Sequence, residues 1–215
     1  MTNFCPSTTM LKDFVCGHLT NGKDLIIKSH LTFCPKCRNE VRKLECIAGS
    51  LLKNNMNNDC KIQPSIKKTL SKISNERIKA NDEKPEDQVT GGILPQVINN
   101  FIGKSSSDIN WRFRLPGIYD YQIDSSNEEN IYLLKVDPGA RILQHTHEGE
   151  ESTIILKGQM EDGDKTLSLG DISILNNNHT HNPQVSGTET CLCLVVMSGK
   201  VKFTGRFSRA LNIFN

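Results

Sequence analysis

Residues 139–158 read GARILQHTHEGEESTIILKG, and this run indicates how the C-terminal half of the chain folds. It holds two histidines with one residue between them, His145 and His147, and a carboxylate four residues later, Glu151. Side chains two residues apart in a strand point to the same face of a sheet. We therefore expect both imidazoles to reach one metal ion from a single strand, with Glu151 joining them as the chain returns.

The size and charge of the chain exclude several classes of protein. Its 215 residues suffice for one large domain or two small ones, and its formal net charge is only +2 at pH 7. That charge provides no strong field for nucleic acid or for an anionic membrane. No apolar run approaches the roughly 20 residues that span a bilayer, and the first residues lack the pattern of a signal peptide. We therefore expect a soluble, cytoplasmic protein with no direct contact to nucleic acid or membrane.

The eight cysteines need an explanation other than disulfide bonds, because the cytoplasm is reducing. The clearest group is HLTFCPKC, which begins at His30 and contains Cys34 and Cys37. Two cysteines separated by two residues can approach one tetrahedral ion, and a histidine one helical turn earlier can add a third ligand. Zn²⁺ suits such a mixture of sulfur and nitrogen. The candidates for the fourth ligand are Cys5, Cys16, His18 and Cys46.

Apolar periodicity divides the chain into a helical part and a strand-rich part. Before residue 53 it predicts three helices, the second opening at Asp24 and the third at Pro35. Residues 53–92 contain no aromatic side chain and read as a connection, with one amphipathic helix at about residues 65–79.

After about residue 110 the pattern changes to short β-branched and apolar runs separated by turn residues. Many short strands at this spacing are typical of a β-sandwich or barrel. The expected strands are 131–136, 152–156, 166–169, 172–175, 191–197 and 201–207. Two further histidines, His179 and His181, follow the expected strand at 172–175.

The first constellation resembles the zinc-binding anti-sigma domain, through the spacing His-x3-Cys-x2-Cys between two short helices, over about residues 1–80. In that family the first ligand comes from near the N-terminus, and matching the interval from Gly17 to His30 places Cys5 at its position. The closest branch has a histidine there, so this chain departs from the pattern with a residue that binds zinc equally well. The resemblance implies a site of Cys5, His30, Cys34 and Cys37, with Cys16 as the alternative to Cys5.

The second constellation resembles the first cupin motif, which has five fixed positions, and all five match: Gly139, His145, His147, Glu151 and Gly158. His181-Asn182-Pro183 also resembles the His-x-Pro ending in the cupin half of ChrR-type anti-sigma factors. The resemblance therefore implies His181, rather than His179, as the fourth ligand. It favours Zn²⁺, although three histidines and one glutamate also suit Mn²⁺, Fe²⁺ and Ni²⁺.

The order of the two modules resembles ChrR-type anti-sigma factors. The implied architecture is α+β: a small helical zinc-binding anti-sigma domain at residues 1–80, a linker and barrel entry at 81–109, and a cupin β-barrel of jelly-roll type at 110–215. The resemblance implies a regulator rather than an enzyme. Its helical domain would sequester an extracytoplasmic-function sigma factor, and its cupin would promote release under singlet oxygen or peroxide stress. Pairing into a homodimer through the cupin is left open.

Two other functions compete with this interpretation. Many cupins are metal-dependent enzymes such as dioxygenases, and an open position beside a metal could bind a substrate. A metal-binding or small-molecule-binding module without a sigma partner is the other. Cys191 and Cys193 lie two apart in an expected strand, and they are read either as small core residues or as an oxidant sensor.

Overall fold

The computed structural model describes residues 2–55, 94–104, 106–125 and 129–205, and its N-terminal part consists of three helices. The hydroxyl of Ser7 accepts a hydrogen bond from the Met10 amide and so caps the first helix. The third helix begins at a proline. Proline has no backbone N–H, but the N–H groups of a first turn have no acceptor within the helix, so no hydrogen bond is lost. The helices are α1 (Thr8–Val15), α2 (Asn21–Phe33) and α3 (Pro35–Asn55).

Helix α2 begins three residues earlier than expected, at Asn21 rather than at Asp24. Its first turn is capped by Glu129, which comes from the C-terminal half and accepts hydrogen bonds from the Thr20 hydroxyl and the Gly22 amide. A carboxylate at this end is also favoured by the helix dipole. Because this cap comes from residues far away in the chain, local sequence carries no sign of it.

A fourth helix, α4 (Gln96–Ile102), lies within the segment expected to be linker and barrel entry. It ends at Gly103, which adopts the left-handed conformation that favours glycine after a helix. Ile98 is fully buried in the same apolar core as α2. A short 3-10 turn, Ser106–Asp108, follows before the first strand. The amphipathic helix expected at residues 65–79 lies outside the described residues.

In the described residues of the C-terminal half, ten strands form three antiparallel sheets. Five of the six expected strands match an observed one within one residue at each end; the sixth, 201–207, matches a strand that ends at Phe203, and its positions 206–207 lie outside the described residues. The strands are β1 (Arg112–Leu115), β2 (Ile118–Ser125), β3 (Asn130–Val136), β4 (His145–His147), β5 (Glu151–Lys157), β6 (Gln159–Asp162), β7 (Lys165–Ser168), β8 (Ile172–Leu175), β9 (Cys191–Met197) and β10 (Val201–Phe203). The large sheet has the order β1-β2-β3-β9-β5-β8, and the small sheets pair β10 with β4 and β6 with β7.

Two neighbouring inner strands of the large sheet, β9 and β5, are buried on both faces. In β9, Leu192, Leu194 and Val196 belong to the core that includes the helices. The alternate residues Cys191, Cys193 and Val195 belong to a second core inside the barrel. Side chains alternate between faces along a strand, so one strand separates the helical layer from the barrel interior. This arrangement confirms the expected α+β class.

Helix α2 packs directly on the outer face of that sheet, against β5 and β9. Gly22 permits the approach, because a Cβ atom there would lie 2.5 Å from Val196 Cγ1 and 2.8 Å from Glu129 Oε2. Lys23 adds an ion pair with Glu150 at 2.8 Å. Ile26 of α2 is fully buried in the core that the helices share with this sheet. Among the described helices, none is both long enough and apolar enough to cross a bilayer.

Candidate metal centres

The structure brings Cys5, His30, Cys34 and Cys37 together, with one donor atom from each within 4.8 Å of every other. The sulfur atoms of Cys5 and Cys34 lie 3.9 Å apart. Two sulfur ligands at about 2.3 Å from a tetrahedral Zn²⁺ are separated by about 3.8 Å. The spacing of this N-terminal tetrad therefore fits a tetrahedral ion.

Local chain geometry explains how three of these four residues meet. His30 lies in the last turn of α2, and Cys34 follows as its C-cap in an extended conformation that turns the chain into α3. Cys37 then lies in the first turn of α3. Cys5 comes from the segment before α1 and completes the group from the other side. Cys16, His18 and Cys46, the other candidates for the fourth ligand, are exposed outside the tetrad.

The hydrogen bonds of His30 leave one ring nitrogen available. Its Nδ1 lies 2.7 Å from the carbonyl oxygen of Gly170, and since a carbonyl only accepts, Nδ1 carries the proton. Burial lowers the pKa of His30, so the ring is neutral. Its Nε2 is buried, and no hydrogen-bond partner is found for it within the described part of the chain. A buried lone pair facing three sulfur atoms is what a metal ligand requires.

The thiols of the tetrad also point to a cation. Burial raises the pKa of Cys37 well above its usual range, and the neighbouring Cys34 and Cys5 raise it further. Burial acts in the same direction on Cys34, but hydrogen bonds from Thr2 and the other two cysteines lower its pKa overall. The surroundings therefore favour a thiolate at Cys34 and disfavour one at Cys37. A divalent ion would supply the positive charge that lets both of them ionise.

The second group consists of His145, His147, Glu151 and His181, whose donor atoms also lie within 4.8 Å of one another. Both histidines of β4 are buried, at 5% and 1% exposure, and they share one face of the strand as the spacing predicts. His181 is held opposite His145 by two backbone hydrogen bonds of 3.0 Å. Glu151 opens β5, and its Oε2 lies 3.3 Å from Nε2 of His147.

The Nδ1 atom of each histidine in this cupin tetrad has a partner outside the group. Nδ1 of His145 lies 2.6 Å from the Leu143 carbonyl, and Nδ1 of His181 lies 2.9 Å from the carboxylate of Asp162. Nδ1 of His147 lies 3.3 Å from the sulfur of Met197. Such partners fix the tautomer and orient the ring, leaving Nε2 as the ligand atom.

Burial controls the protonation of His145, His147 and Glu151. Burial and, to a smaller extent, the neighbouring imidazoles lower the pKa of His145 to about 4 and that of His147 to about 3. Burial raises the pKa of Glu151. Neutral imidazoles are the form that binds metals, so His145 and His147 need lose no proton at neutral pH. The residues therefore fit a divalent cation.

His179, the alternative to His181, lies outside the cupin tetrad. It is exposed, and its Nδ1 lies 2.8 Å from the side-chain oxygen of Asn176. The sulfur atoms of Cys191 and Cys193 lie 3.6 Å apart inside the barrel, both fully buried. The contact with Cys191, together with burial, raises the pKa of Cys193, which keeps it as an unreactive thiol.

A cavity of about 140 Å³ opens beside the cupin tetrad. His145, Glu151 and His181 form its polar end, and most of its remaining wall is apolar, including Ile118 and Leu134. A volume of this size accommodates a few water molecules or a small organic molecule. The site therefore combines side chains that could bind a metal with space for a small molecule.

Sequence reasoning missed the residues that support the two tetrads from a distance. Asp162 holds His181, and Gly170 holds His30. Asp171 binds the segment that carries Cys5, and Glu129 caps α2. In the sequence, Asp162 and Asp171 each stand next to a glycine. That pattern favours a turn nearby but does not indicate which residues the two carboxylates bind.

Comparisons with known proteins agree with this architecture. Residues 102–201 match the family model described as the ChrR cupin-like domain. The chain is 22% identical to the anti-sigma-E factor ChrR of Cereibacter sphaeroides over 208 residues, which covers 97% of this chain and 95% of that protein.

The fold is similar to that in the crystal structure of Rhodobacter sphaeroides SigE in complex with the anti-sigma ChrR. The TM-score is 0.72 at 23% identity, and the match covers 92% of this chain and 100% of that chain. An RmlC-like cupin protein from Ralstonia eutropha JMP134 matches 47% of this chain and 71% of its own, with a TM-score of 0.43 and 19% identity. The predicted resemblance is confirmed: the C-terminal half matches the ChrR cupin-like domain, and helices and barrel together share the fold of a ChrR-type anti-sigma factor.

Proposed function

We propose that this chain is an anti-sigma factor, which binds an extracytoplasmic-function sigma factor through its N-terminal helices and keeps it from RNA polymerase. The observation that carries the proposal is the similarity to ChrR, which extends over 97% of the chain rather than over the cupin alone. The name of that relative describes an anti-sigma factor, and the similar crystal structure is of its complex with SigE. Such a complex forms in the cytoplasm, where sigma factors meet the polymerase.

An apolar surface on α3 supports a protein partner. Ile47, Leu51 and Leu52 are 58%, 60% and 66% exposed, and two of them lie one helical turn apart. An amphipathic helix that presents such residues can bind in a groove of another protein. Leu51 is therefore accessible to a partner, whereas Ile26 of α2 is fully buried.

We propose Zn²⁺ as the ion of the N-terminal tetrad, with Cys5, His30, Cys34 and Cys37 as its ligands. This ion would join the segment before α1 to the α2–α3 junction, and so stabilise the small helical module. For the cupin tetrad we propose a divalent ion, Zn²⁺ or one of Mn²⁺, Fe²⁺ and Ni²⁺, held by His145, His147, Glu151 and His181.

The stress signal is proposed to act at the cupin tetrad. The adjoining cavity would give a small oxidant access to His145, Glu151 and His181. Damage or rearrangement of these ligands would disturb β5, whose outer face packs against α2. For release to follow, the oxidised and intact forms must differ in their affinity for the sigma factor. Singlet oxygen and organic peroxides are the oxidants to test first.

The test is co-purification from cells that express the chain at its native level, with metal analysis of the purified protein. Cys34→Ala should remove about one zinc per chain and abolish retention of the sigma factor, because the junction of α2 and α3 loses its ion. The matched control is Cys46→Ala, which alters an exposed cysteine on α3 outside the tetrad and should change neither zinc nor binding. Retention of a sigma factor by zinc-free Cys34→Ala would contradict the proposal.

A cupin enzyme is the second candidate, and the apolar cavity beside the ligands is the observation in its favour. Its test is oxygen consumption or substrate turnover by the metal-loaded full chain, without any sigma factor. Turnover that His181→Ala abolishes, together with failure to retain a sigma factor, would support the enzyme.

A further inference from the structure

We infer that Asp171, a residue of the cupin half, is a positioning residue for the N-terminal metal centre, an inference that rests on the proposed metal site at that tetrad. Asp171 has no exposed surface, and it belongs to neither tetrad. Its carboxylate accepts three backbone hydrogen bonds, from the amides of Asn3 at 2.6 Å, Phe4 at 3.0 Å and Ser168 at 2.9 Å. Two of these donors precede Cys5 in the chain.

The first effect of Asp171 is on Cys5. The first residues of a chain are poorly ordered unless something ties them down. Here the Asp171 carboxylate binds two consecutive amides, and the Ile172 amide donates to the Phe4 carbonyl at 3.0 Å. These bonds fix the segment immediately before Cys5 against the start of β8. Cys5 is therefore placed near the other ligands by the cupin half and not by α1 alone.

The second effect is on His30, through the neighbouring residue Gly170. Asp171 closes the turn that contains Gly170, because its Oδ2 accepts from the Ser168 amide and its own amide donates to the Ser168 carbonyl at 2.8 Å. This turn directs the Gly170 carbonyl at Nδ1 of His30. Gly170 has φ of +82°, and a Cβ atom there would lie 2.7 Å from Phe33 Cβ and 2.8 Å from Thr2 Cγ2. Only glycine allows so close an approach.

The turn is also bonded to the strand that carries a cupin ligand. The Gly170 amide donates to the Ile155 carbonyl at 2.8 Å, and the Ile155 amide donates to the Asp171 carbonyl at 3.1 Å. Ile155 lies in β5, which begins with Glu151. Two of the four N-terminal ligands, Cys5 and His30, are thus held by groups on the cupin sheet, whereas Cys34 and Cys37 are held by the helices.

The test measures the metal affinity of the full chain with Asp171→Ala and Asp171→Asn. Cobalt(II) is the probe, because only the N-terminal tetrad contains cysteine and can produce a thiolate-to-cobalt absorption band; zinc competition against a chromophoric chelator then gives the zinc affinity. Loss of a group that orients a ligand typically weakens metal binding about 10-fold to 100-fold. We expect that loss for Asp171→Ala, and a smaller one for Asp171→Asn, whose amide oxygen still accepts from Asn3 or Phe4.

The control is Glu129→Gln, which weakens the same interface at the opposite end of α2 without touching the Asp171 contacts. Circular dichroism reports whether each variant is folded, and Asp171→Asn keeps the test decisive should the alanine variant unfold. Wild-type affinity in both Asp171 variants, or an equal loss in Glu129→Gln, would overturn the inference. Absence of the thiolate band in the wild-type chain would instead refute the metal site itself, whereas failure of the wild-type chain to retain a sigma factor with the band intact would refute only the anti-sigma function.

Discussion

The Nε2 atoms of His147 and His181 lie 3.1 Å apart, although 34 residues separate them in the chain. Nδ1 of His181 faces the Asp162 carboxylate, and Nδ1 of His147 faces the Met197 sulfur, so both protons belong on the outer nitrogens. Two nitrogen lone pairs then point at the same place within a buried site. A cation between them removes their mutual repulsion and uses both as ligands.

Replacement of His181 should therefore remove the metal of the cupin tetrad. We expect His181→Ala to lose about one metal ion per chain, with the N-terminal ion retained, because a tetrad reduced to three ligands holds the ion weakly. The measurement is elemental analysis after dialysis against a weak chelator. His179→Ala is the matched control, and it should keep its full metal content because His179 contacts Asn176 at the surface. Equal metal loss in the two variants would contradict the assignment.

Cys5 should be the fourth ligand of the N-terminal site, rather than Cys16. We expect Cys5→Ser to release zinc at chelator concentrations that leave the wild type intact, because a serine hydroxyl remains protonated and binds zinc poorly. Cys16→Ser should behave as the wild type, since Cys16 is exposed at the end of α1. Chelator titration monitored by thiol alkylation would distinguish the two variants. Identical zinc release by both would argue against Cys5.

The metal-free protein should lose stability in mild acid. His145 and His147 have folded pKa values of about 4 and about 3, below the ordinary 6.5. At a pH between these folded values and 6.5, the unfolded chain therefore binds more protons than the folded chain does. The free energy of unfolding should therefore fall as pH decreases from about 6.5 towards 3, and be unaffected by these groups above 6.5. Urea unfolding of the chelator-treated chain at several pH values measures this.

Protonation of Glu151 should have the opposite effect on the free energy of unfolding as pH decreases, so replacing Glu151 tests the direction of the predicted pH dependence. Burial raises its folded pKa above the ordinary 4.5, so ionisation of Glu151 disfavours the folded state as pH increases above that value. Glu151→Gln removes this contribution, and we expect its stability to fall more steeply with decreasing pH than that of the wild type. A shallower fall in Glu151→Gln would show that the carboxylate does not carry a raised pKa.

The contact of α2 with the cupin sheet should be sensitive to one added methyl group. Gly22→Ala would place Cβ against Val196 and Glu129, and overpacking of this kind costs about 1–3 kcal/mol. We expect a lower melting temperature. Gly49→Ala is the control: Gly49 lies in α3 with open space around it, and alanine favours a helix by about 1 kcal/mol. Its melting temperature should increase, and a decrease in both variants would contradict the packing argument.

Much of the candidate site was predictable because its geometry is local. His30, Cys34 and Cys37 lie within eight residues, so the short connection between α2 and α3 is enough to bring them close. His145 and His147 share a face because strand side chains alternate. Two inner strands were equally clear, since β5 and β9 are buried on both faces and therefore consist of apolar runs. Strands β1 and β2, which alternate with charged residues, gave a weaker signal and were missed.

By itself, the sequence determined the class of the fold, the two groups of ligand types and the strands of the barrel core, because each depends on residues close together in the chain. Only the tertiary structure decided that Asp162 supports His181, that Glu129 caps α2, and that Gly170 and Asp171 hold His30 and Cys5. These contacts join residues that are 19 to 168 positions apart in the chain. Which residues meet depends on the register of the sheets and on how α2 packs against them, and no local sequence pattern encodes either.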